Sequence, residues 1–326
     1  MTLPQRRAEF LVAGAGPAGL TIARLLALKG RSVVVVDGAL PAAKRLELLA
    51  PVALAAIDAI GLSPLLSNRA IARPCQGIRR WWGTSSPDYE DFLRHPRRTG
   101  YVVDRARFDQ SLREAAAAAG VAFMNARVTG LSETGVRLTR GDGLVEDLVF
   151  GGTVIDATGR AAMIARRKGE RIAVRDRRVA ELIEESSVAA DASAPTWLDV
   201  FKHDEASWSY RVEGVDGKAQ VWRISPAGTR PTPGAILRVD ASASILTATA
   251  GEGWMAVGDA ACAFDPIASQ GLFNALSSAL VAAGALQSSD GLTAGTRRAY
   301  ADAVAAAFLF SEAGRANVYG KLAAVR

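Results

Sequence analysis

Residues 9–19 read Glu9-Phe10-Leu11-Val12-Ala13-Gly14-Ala15-Gly16-Pro17-Ala18-Gly19, and residues 31–37 read Arg31-Ser32-Val33-Val34-Val35-Val36-Asp37. The first run is a short apolar strand that breaks into a GxGxxG turn. An Ala- and Leu-rich helix follows to about Lys29, and Gly30 stops it. The second run is a β-branched strand ending in an acid. Together they form a βαβ unit with the dinucleotide-binding fingerprint in its required context. Gly14 makes the tight turn, Gly16 lets the backbone approach a pyrophosphate, and Gly19 lets helix pack on strand. Pro17 and Ala18 complete the turn, and the helix N-terminus offers unpaired N–H groups to the phosphates. Asp37, 18 residues past Gly19, is placed to bind a ribose hydroxyl. The unit alone does not separate NAD from FAD.

The chain has 326 residues, 49% of them hydrophobic, 22% charged and 6% aromatic. This length suits one large or two modest domains, and the composition excludes disorder, collagen and coiled coil. Two cysteines, Cys75 and Cys262, exclude a disulfide framework and a CxxC site. Two histidines, His95 and His203, cannot build a His-rich centre, so no metal is expected. The net charge of +6 permits nucleic-acid binding, but no recognition module accompanies it and none is expected. The same charge would attract an anionic cofactor or substrate. No run of 18 apolar residues reads as a membrane span. Cytoplasmic residence is the default expectation.

Two later segments resemble flavoproteins with a glutathione-reductase-type FAD domain. Val154-Ile-Asp-Ala-Thr-Gly159-Arg160 is similar to the "ATG" strand end of that group. Gly253-Trp-Met-Ala-Val-Gly258-Asp259-Ala-Ala261, continuing to Gly271, is similar to the second FAD fingerprint of class A flavin monooxygenases. The resemblance implies FAD, with Gly159 and Gly258 at its turns and Asp259 on its ribityl or ribose hydroxyls. It places Pro266 beside the flavin ring, and Ser269, Gln270 and Gly271 at the N1–C2=O edge. A helix start there makes physical sense, because reduced flavin carries negative charge at that edge. Tyr101-Val-Val-Asp-Arg105 resembles the family's Arg-containing helix start, from which Arg105 would reach the cofactor. Arg45 resembles an Arg that neutralises the pyrophosphate, and it also reads as a solvated helix start.

Phe264-Asp-Pro-Ile-Ala-Ser-Gln-Gly-Leu-Phe-Asn-Ala-Leu276 resembles the tryptophan-halogenase-like branch most closely. That branch includes flavoproteins that hydroxylate tryptophan while maturing quinone-cofactor amine oxidases and dehydrogenases. Ser269 stands where phenol-type hydroxylases commonly carry glycine. Halogenases use a lysine in a stretch with which Cys75-Gln-Gly-Ile-Arg-Arg-Trp-Trp82 aligns, and Cys75 takes the lysine's place. A thiol cannot act as that cationic amine. Cys75 itself reads as packing or as a substrate contact.

Trp81 and Trp82 read either as sheet core or as flanking an aromatic substrate. Arg79 would clamp a carboxylate or lie solvated at an edge. His95, near the expected cleft, is the better general-base candidate of the two histidines, and it also reads as a surface residue beside Pro96.

The fold class implied is α/β: a Rossmann FAD domain interleaved with a smaller antiparallel-sheet substrate domain. The FAD domain would comprise residues 1–70, 100–165 and 245–295, and the substrate domain 71–99 and 166–244. Residues 296–326 would form a C-terminal helix. Helices are expected at 104–119 and 272–286, a hairpin around Asp216-Gly217, and a loop at 188–195.

The resemblance implies an FAD-dependent monooxygenase that hydroxylates an indole-like ring, free or peptide-borne, through a flavin C4a-hydroperoxide. O2 would be co-substrate and NAD(P)H a transient reductant. The alternatives are a flavin-dependent reductase or dehydrogenase without oxygen insertion, a halogenase-like enzyme, or a non-catalytic flavoprotein maturation partner.

Overall fold

The computed structural model describes residues 8–38, 45–132, 135–150, 152–187, 194–286 and 292–324. The β-branched run Val33–Asp37 forms a strand parallel to Phe10–Ala13, as the βαβ reading requires. Phe10–Ala13 pairs in turn with Thr153–Asp156, and that strand with Trp254–Ala256, both in parallel. Ala122–Ser132 joins beyond Val33–Asp37. Antiparallel strands Gly135–Arg140 and Val145–Val149 extend this edge, and the short pair 250–251 the other, giving eight strands. A parallel sheet needs cover on its faces. Helices Pro17–Leu28, Arg105–Ala118 and Gly271–Leu286 provide it, packing through Leu20, Ile22, Leu26, Phe108, Leu112, Leu276 and Leu286, all of them buried. Asp104 caps the second helix, its carboxylate accepting from the Ala106 and Arg107 N–H groups.

The glycine turn is set by contact. A Cβ on Gly19 would stand 2.1 Å from the Gly14 carbonyl oxygen. One on Gly14, whose φ is +110°, would stand 2.4 Å from the Ala157 oxygen. Helix, turn and third strand thus approach more closely than any side chain permits.

The second sheet has nine strands. Its order runs Leu237–Asp240, Arg178–Ser187, Lys218–Pro226, Trp208–Glu213, Thr196–Lys202, Ala72–Trp81, Gly100–Asp104 and Leu46–Leu49, with Asp88–Asp91 beside Ala72–Trp81. The expected hairpin is present, with Tyr210 opposite Trp222. The strand boundaries differ from the segments read in the sequence. Leu46–Leu49 and Gly100–Asp104, assigned there to the cofactor half, belong to this sheet. Ala72–Trp81 pairs with Gly100–Asp104 over its first half and with Asp88–Asp91 over its second, so the sheet runs past residue 99. Leu46–Leu49 then completes the edge against Gly100–Asp104.

The C-terminal helix spans Ala294–Ala324, and Tyr300 ties it to the first sheet by donating to the Ala256 carbonyl at 2.6 Å. Residues 188–193 of the expected loop lie outside the described residues. Gly19→Ala is expected to lower stability by about 3 kcal/mol, the upper end for overpacking, because the opposing atom is backbone. Urea denaturation of the two proteins measures the difference.

Candidate active site

The carboxyl ends of the parallel strands converge on a trough of about 250 Å³. Gly16, Pro17 and Ala18 form one wall, and Gly159, Val257 and Asp259 another. A Cβ on Gly16 would meet nothing within 4 Å, so this face of the turn is open. Asp37 ends its strand against the turn and accepts from the Ala15 N–H at 3.3 Å. The Ala-Thr-Gly segment is held from below by Asp156, which is fully buried. Its carboxylate accepts from the Thr158 N–H at 3.1 Å, the Thr158 hydroxyl at 2.6 Å and the Ala165 N–H at 2.9 Å. Gly258 donates its N–H to the Ser278 hydroxyl at 2.8 Å. Asp259 then turns into the trough, 3.6 Å from the Arg160 guanidinium. Burial raises its carboxyl pKa, and Arg160 opposes that shift.

Arg45 and Arg105 face the trough with Glu47 between them. Arg105 is buried and also grips Asp109 at 2.9 Å. Its own burial would lower its pKa, but Glu47 and Asp109 outweigh that and hold it charged. Burial likewise would raise Glu47, yet Arg105, Arg45 and the Leu272 N–H keep its carboxyl below the ordinary range. The Nε of Arg45 is buried with no hydrogen-bond partner. The donor set of this trough fits FAD: an open glycine turn at a helix start, two guanidiniums for phosphate charge, and Asp259 as a hydroxyl acceptor.

Arg45, Glu47, Asp259 and Gly271 also line a second cavity, of about 170 Å³, so the two spaces adjoin. Its floor is the segment from Phe264 to Gly271. Asp265 accepts from the Ile267 N–H at 2.9 Å and so caps the turn Pro266–Ala268. Ser269 follows at φ +49°, a left-handed conformation that favours glycine, which accounts for the glycine of related sequences there. Gln270 and Gly271 then enter the helix. The walls come from the nine-stranded sheet: Leu198 and Val200, Trp208 and Tyr210, Trp222 and Ile224. Trp208 donates to the Tyr319 hydroxyl at 2.9 Å, and that hydroxyl reaches Asp265 at 3.3 Å. The C-terminal helix thus backs the wall.

Strand alternation separates the substrate candidates. Ile78 and Arg80 face the cavity. Arg79 and Trp81 face away. Arg79 pairs bidentately with Asp199 at 2.6 and 2.9 Å and sits over the rings of Trp81 and Trp197, while Trp81 stacks on Phe201. Trp82 is half-buried and packs on the second core. Cys75 is fully buried and donates to the Gly77 carbonyl at 3.4 Å. Burial pushes its thiol up to about 12, so it is a packing residue with neither a charge nor an exposed atom. Cys262 is equally buried. His95 lines a wider groove of about 690 Å³ that opens beside Ile267, Ser269 and Gln270, and its Nδ1 accepts from the Arg97 N–H. The sequence reading passed over Glu47, Arg160, Tyr210 and Asp265 as site residues. Asp265 had a signal in the Asp-Pro pair of the second fingerprint, whereas the other three are recruited by strand pairing and turn geometry. Among the described residues no cluster of ligands suits a metal, and no helix is long and apolar enough to cross a membrane.

Burial pushes the Asp265 carboxyl up to about 6, although the Ile267 N–H and Arg178 pull against it. The folded chain therefore holds this proton more tightly than an unfolded chain, in which Asp titrates near pH 4. Its contribution to stability is complete below about pH 4 and is lost as pH rises through about 6, by about 3 kcal/mol. Asp265→Asn, which keeps an acceptor for Ile267, is expected to flatten the unfolding free energy between pH 4 and 6, measured by urea denaturation across that range.

Comparison with known proteins agrees with this geometry. Residues 7–140 match the family described as FAD binding domain. An uncharacterised protein from the nifH2 5' region of Methanosarcina barkeri is 28% identical over 180 residues, 51% of this chain and 90% of that protein. The peptidyl tryptophan dihydroxylase QhpG, essential for tryptophylquinone cofactor biogenesis, superposes with a TM-score of 0.79 at 23% identity, covering 98% of this chain and 76% of that one. A geranylgeranyl bacteriochlorophyll reductase-like protein from Thermoplasma acidophilum gives 0.80 at 22%, covering 97% and 87%. The flavin-dependent brominase Bmp2 gives 0.77 at 17%, covering 97% and 93%. Residues 7–140 thus match an FAD binding domain, and the chain as a whole has the fold of that dihydroxylase, the reductase-like protein and the flavin-dependent brominase.

Proposed function

We propose that this chain is an FAD-dependent monooxygenase that hydroxylates an indole-like aromatic ring, with O2 as co-substrate and NAD(P)H as transient reductant. The observation that carries the reading is the cavity of about 170 Å³ that joins the trough and is walled by Trp208, Tyr210 and Trp222. A dry cavity near 150 Å³ accommodates benzene, so this space suits one small ring system. The wider groove outside it gives room for whatever carries the ring. Asp88–Asp91 lines that groove. Among the described residues this strand pairs with Ala72–Trp81 alone, which leaves its other edge open to an extended peptide. A peptide-borne ring therefore suits the site. The two free, buried thiols accord with a cytoplasmic setting.

When bound, FAD supplies the electron transfer and the activation of oxygen. The chain's own residues do the rest. Gly16 and the helix start at Pro17 receive the pyrophosphate, with Arg45 and Arg105 meeting its charge. Asp259 accepts from cofactor hydroxyls. The start of helix Gly271–Leu286 directs N–H groups and a partial positive charge at the cavity floor, which stabilises negative charge arising there. Trp208, Tyr210 and Trp222 hold an aromatic ring by packing and keep water out. Burial keeps the Tyr210 phenol protonated well above neutral pH. Cys75 offers no ammonium group where halogenases hold one, which weighs against halogen transfer.

Gly16→Val is expected to leave the apoprotein's thermal midpoint unchanged, since no atom opposes a side chain there, and to weaken FAD binding at least tenfold by filling the trough. Fluorescence titration of apoprotein with FAD measures this. The activity is tested aerobically with indole, tryptophan and tryptophan-containing peptides, following NAD(P)H consumption and product mass. Ligand-stimulated consumption with a gain of one oxygen is expected. Reduction of a substrate without oxygen gain would favour a reductase, incorporation of chlorine or bromine a halogenase, and binding without turnover a maturation partner.

A further inference from the structure

Glu47 stands where the two halves of the site meet. It lines both the trough and the aromatic cavity. The Leu272 N–H helps to hold its carboxylate ionised, and a Cβ on Gly271 would stand 3.2 Å from its Oε1. A fixed anion therefore sits against the first turn of helix Gly271–Leu286. That is the same helix start that the functional reading assigns to the electron-accepting edge of the flavin. Arg105 and Arg45 flank the carboxylate and hold it ionised. Leu46 is anchored just before it by its N–H to the Gln220 amide oxygen at 2.9 Å, so strand pairing and the hairpin together aim the side chain.

We propose that Glu47 is a positioning residue that competes with the flavin for the start of helix Gly271–Leu286 and holds the bound cofactor's reduction potential down. The inference rests on the reading that FAD occupies the trough. The physical reason is electrostatic. The helix end favours negative charge, and a carboxylate already placed there uses up part of that capacity. Two-electron reduction adds negative charge to the flavin at that edge, and Glu47 repels it across a short, poorly solvated distance. Replacing Glu47 by Gln removes the repulsion. It also leaves Arg45 without its anion and Arg105 with Asp109 alone, so both guanidiniums act in the same direction.

The test measures affinity and potential, not turnover. FAD is titrated into wild-type, Glu47→Gln and Glu47→Asp apoproteins, and the midpoint potential of each holoprotein is read against a redox dye. For Glu47→Gln, affinity for reduced over oxidised FAD is expected to rise about tenfold, an upward shift of about 30 mV for a two-electron couple. Glu47→Asp keeps the charge but withdraws it by one methylene, and a smaller shift of the same sign is expected. An unchanged or lowered potential in both variants would overturn the proposal, as would a loss of FAD affinity in Glu47→Gln that Glu47→Asp restores, since that is the signature of a support for Arg105. Should Glu47→Gln fail to fold, the sign of the Glu47→Asp shift decides. Failure of the wild-type apoprotein to take up FAD would instead overturn the functional reading.

Discussion

The close approach of backbone at the head of the parallel sheet is the constraint on which the site depends. Gly19 lies against the Gly14 carbonyl and Gly14 against the Ala157 carbonyl, at separations that admit no Cβ. Helix Pro17–Leu28 is thereby drawn down onto the strands, and its N-terminus is aimed across the ends of Phe10–Ala13 and Thr153–Asp156. Gly258, where a Cβ would stand 2.7 Å from the Ala18 Cβ, repeats the condition on the other side. Three segments distant in sequence are brought to one trough because glycine at 14, 19 and 258 leaves no side chain in the way at the points of contact.

The second sheet is joined to the first by strand Gly100–Asp104, which runs directly into helix Arg105–Ala118, and by charge. Arg105 opens a helix of the cofactor half, while Glu47 belongs to the edge strand of the other sheet, and the two are paired. An ion pair this sheltered is costly to break, because either partner alone would be a buried charge. It adds to the backbone pairing with Gly100–Asp104 in holding the strand Leu46–Leu49 beside the trough. On the far side, Asp265 receives Tyr319 and Arg178, and Arg178 lies over the Tyr319 ring at 4.3 Å. The turn Pro266–Ala268 is thus held between its own cap at Ile267 and the C-terminal helix.

Much of the cofactor half was legible because its chemistry is local. GxGxxG at 14–19, the acid at Asp37, and the Ala-Thr-Gly and Gly-Asp segments each state their geometry within a few residues. The hairpin between Trp208 and Pro226 was legible for the same reason, through alternation about a turn. Arg79 and Arg80, or Trp81 and Trp82, are adjacent in sequence and similar in chemistry, and a strand sends neighbours to opposite faces. Which member faces the cavity depends on register, and register is set by partners more than a hundred residues away: Thr196–Lys202 in this case. Leu46–Leu49 and Gly100–Asp104, grouped with the cofactor motifs by sequence position, pair in the nine-stranded sheet, because position beside those motifs does not reveal hydrogen-bond partners.

The sequence by itself determined the Rossmann unit and the helix start beneath the cavity, because glycines and capping residues act on backbone within one turn, and its later fingerprints implied FAD by resemblance. It also determined that no cationic amine stands at position 75. Tertiary structure alone decided that Trp208, Tyr210 and Trp222 form the cavity wall, that Cys75 is sealed in the core, and that Glu47 meets the helix at Gly271. These follow from pairing and packing between distant segments, and the energy of such contacts belongs to no short stretch of chain.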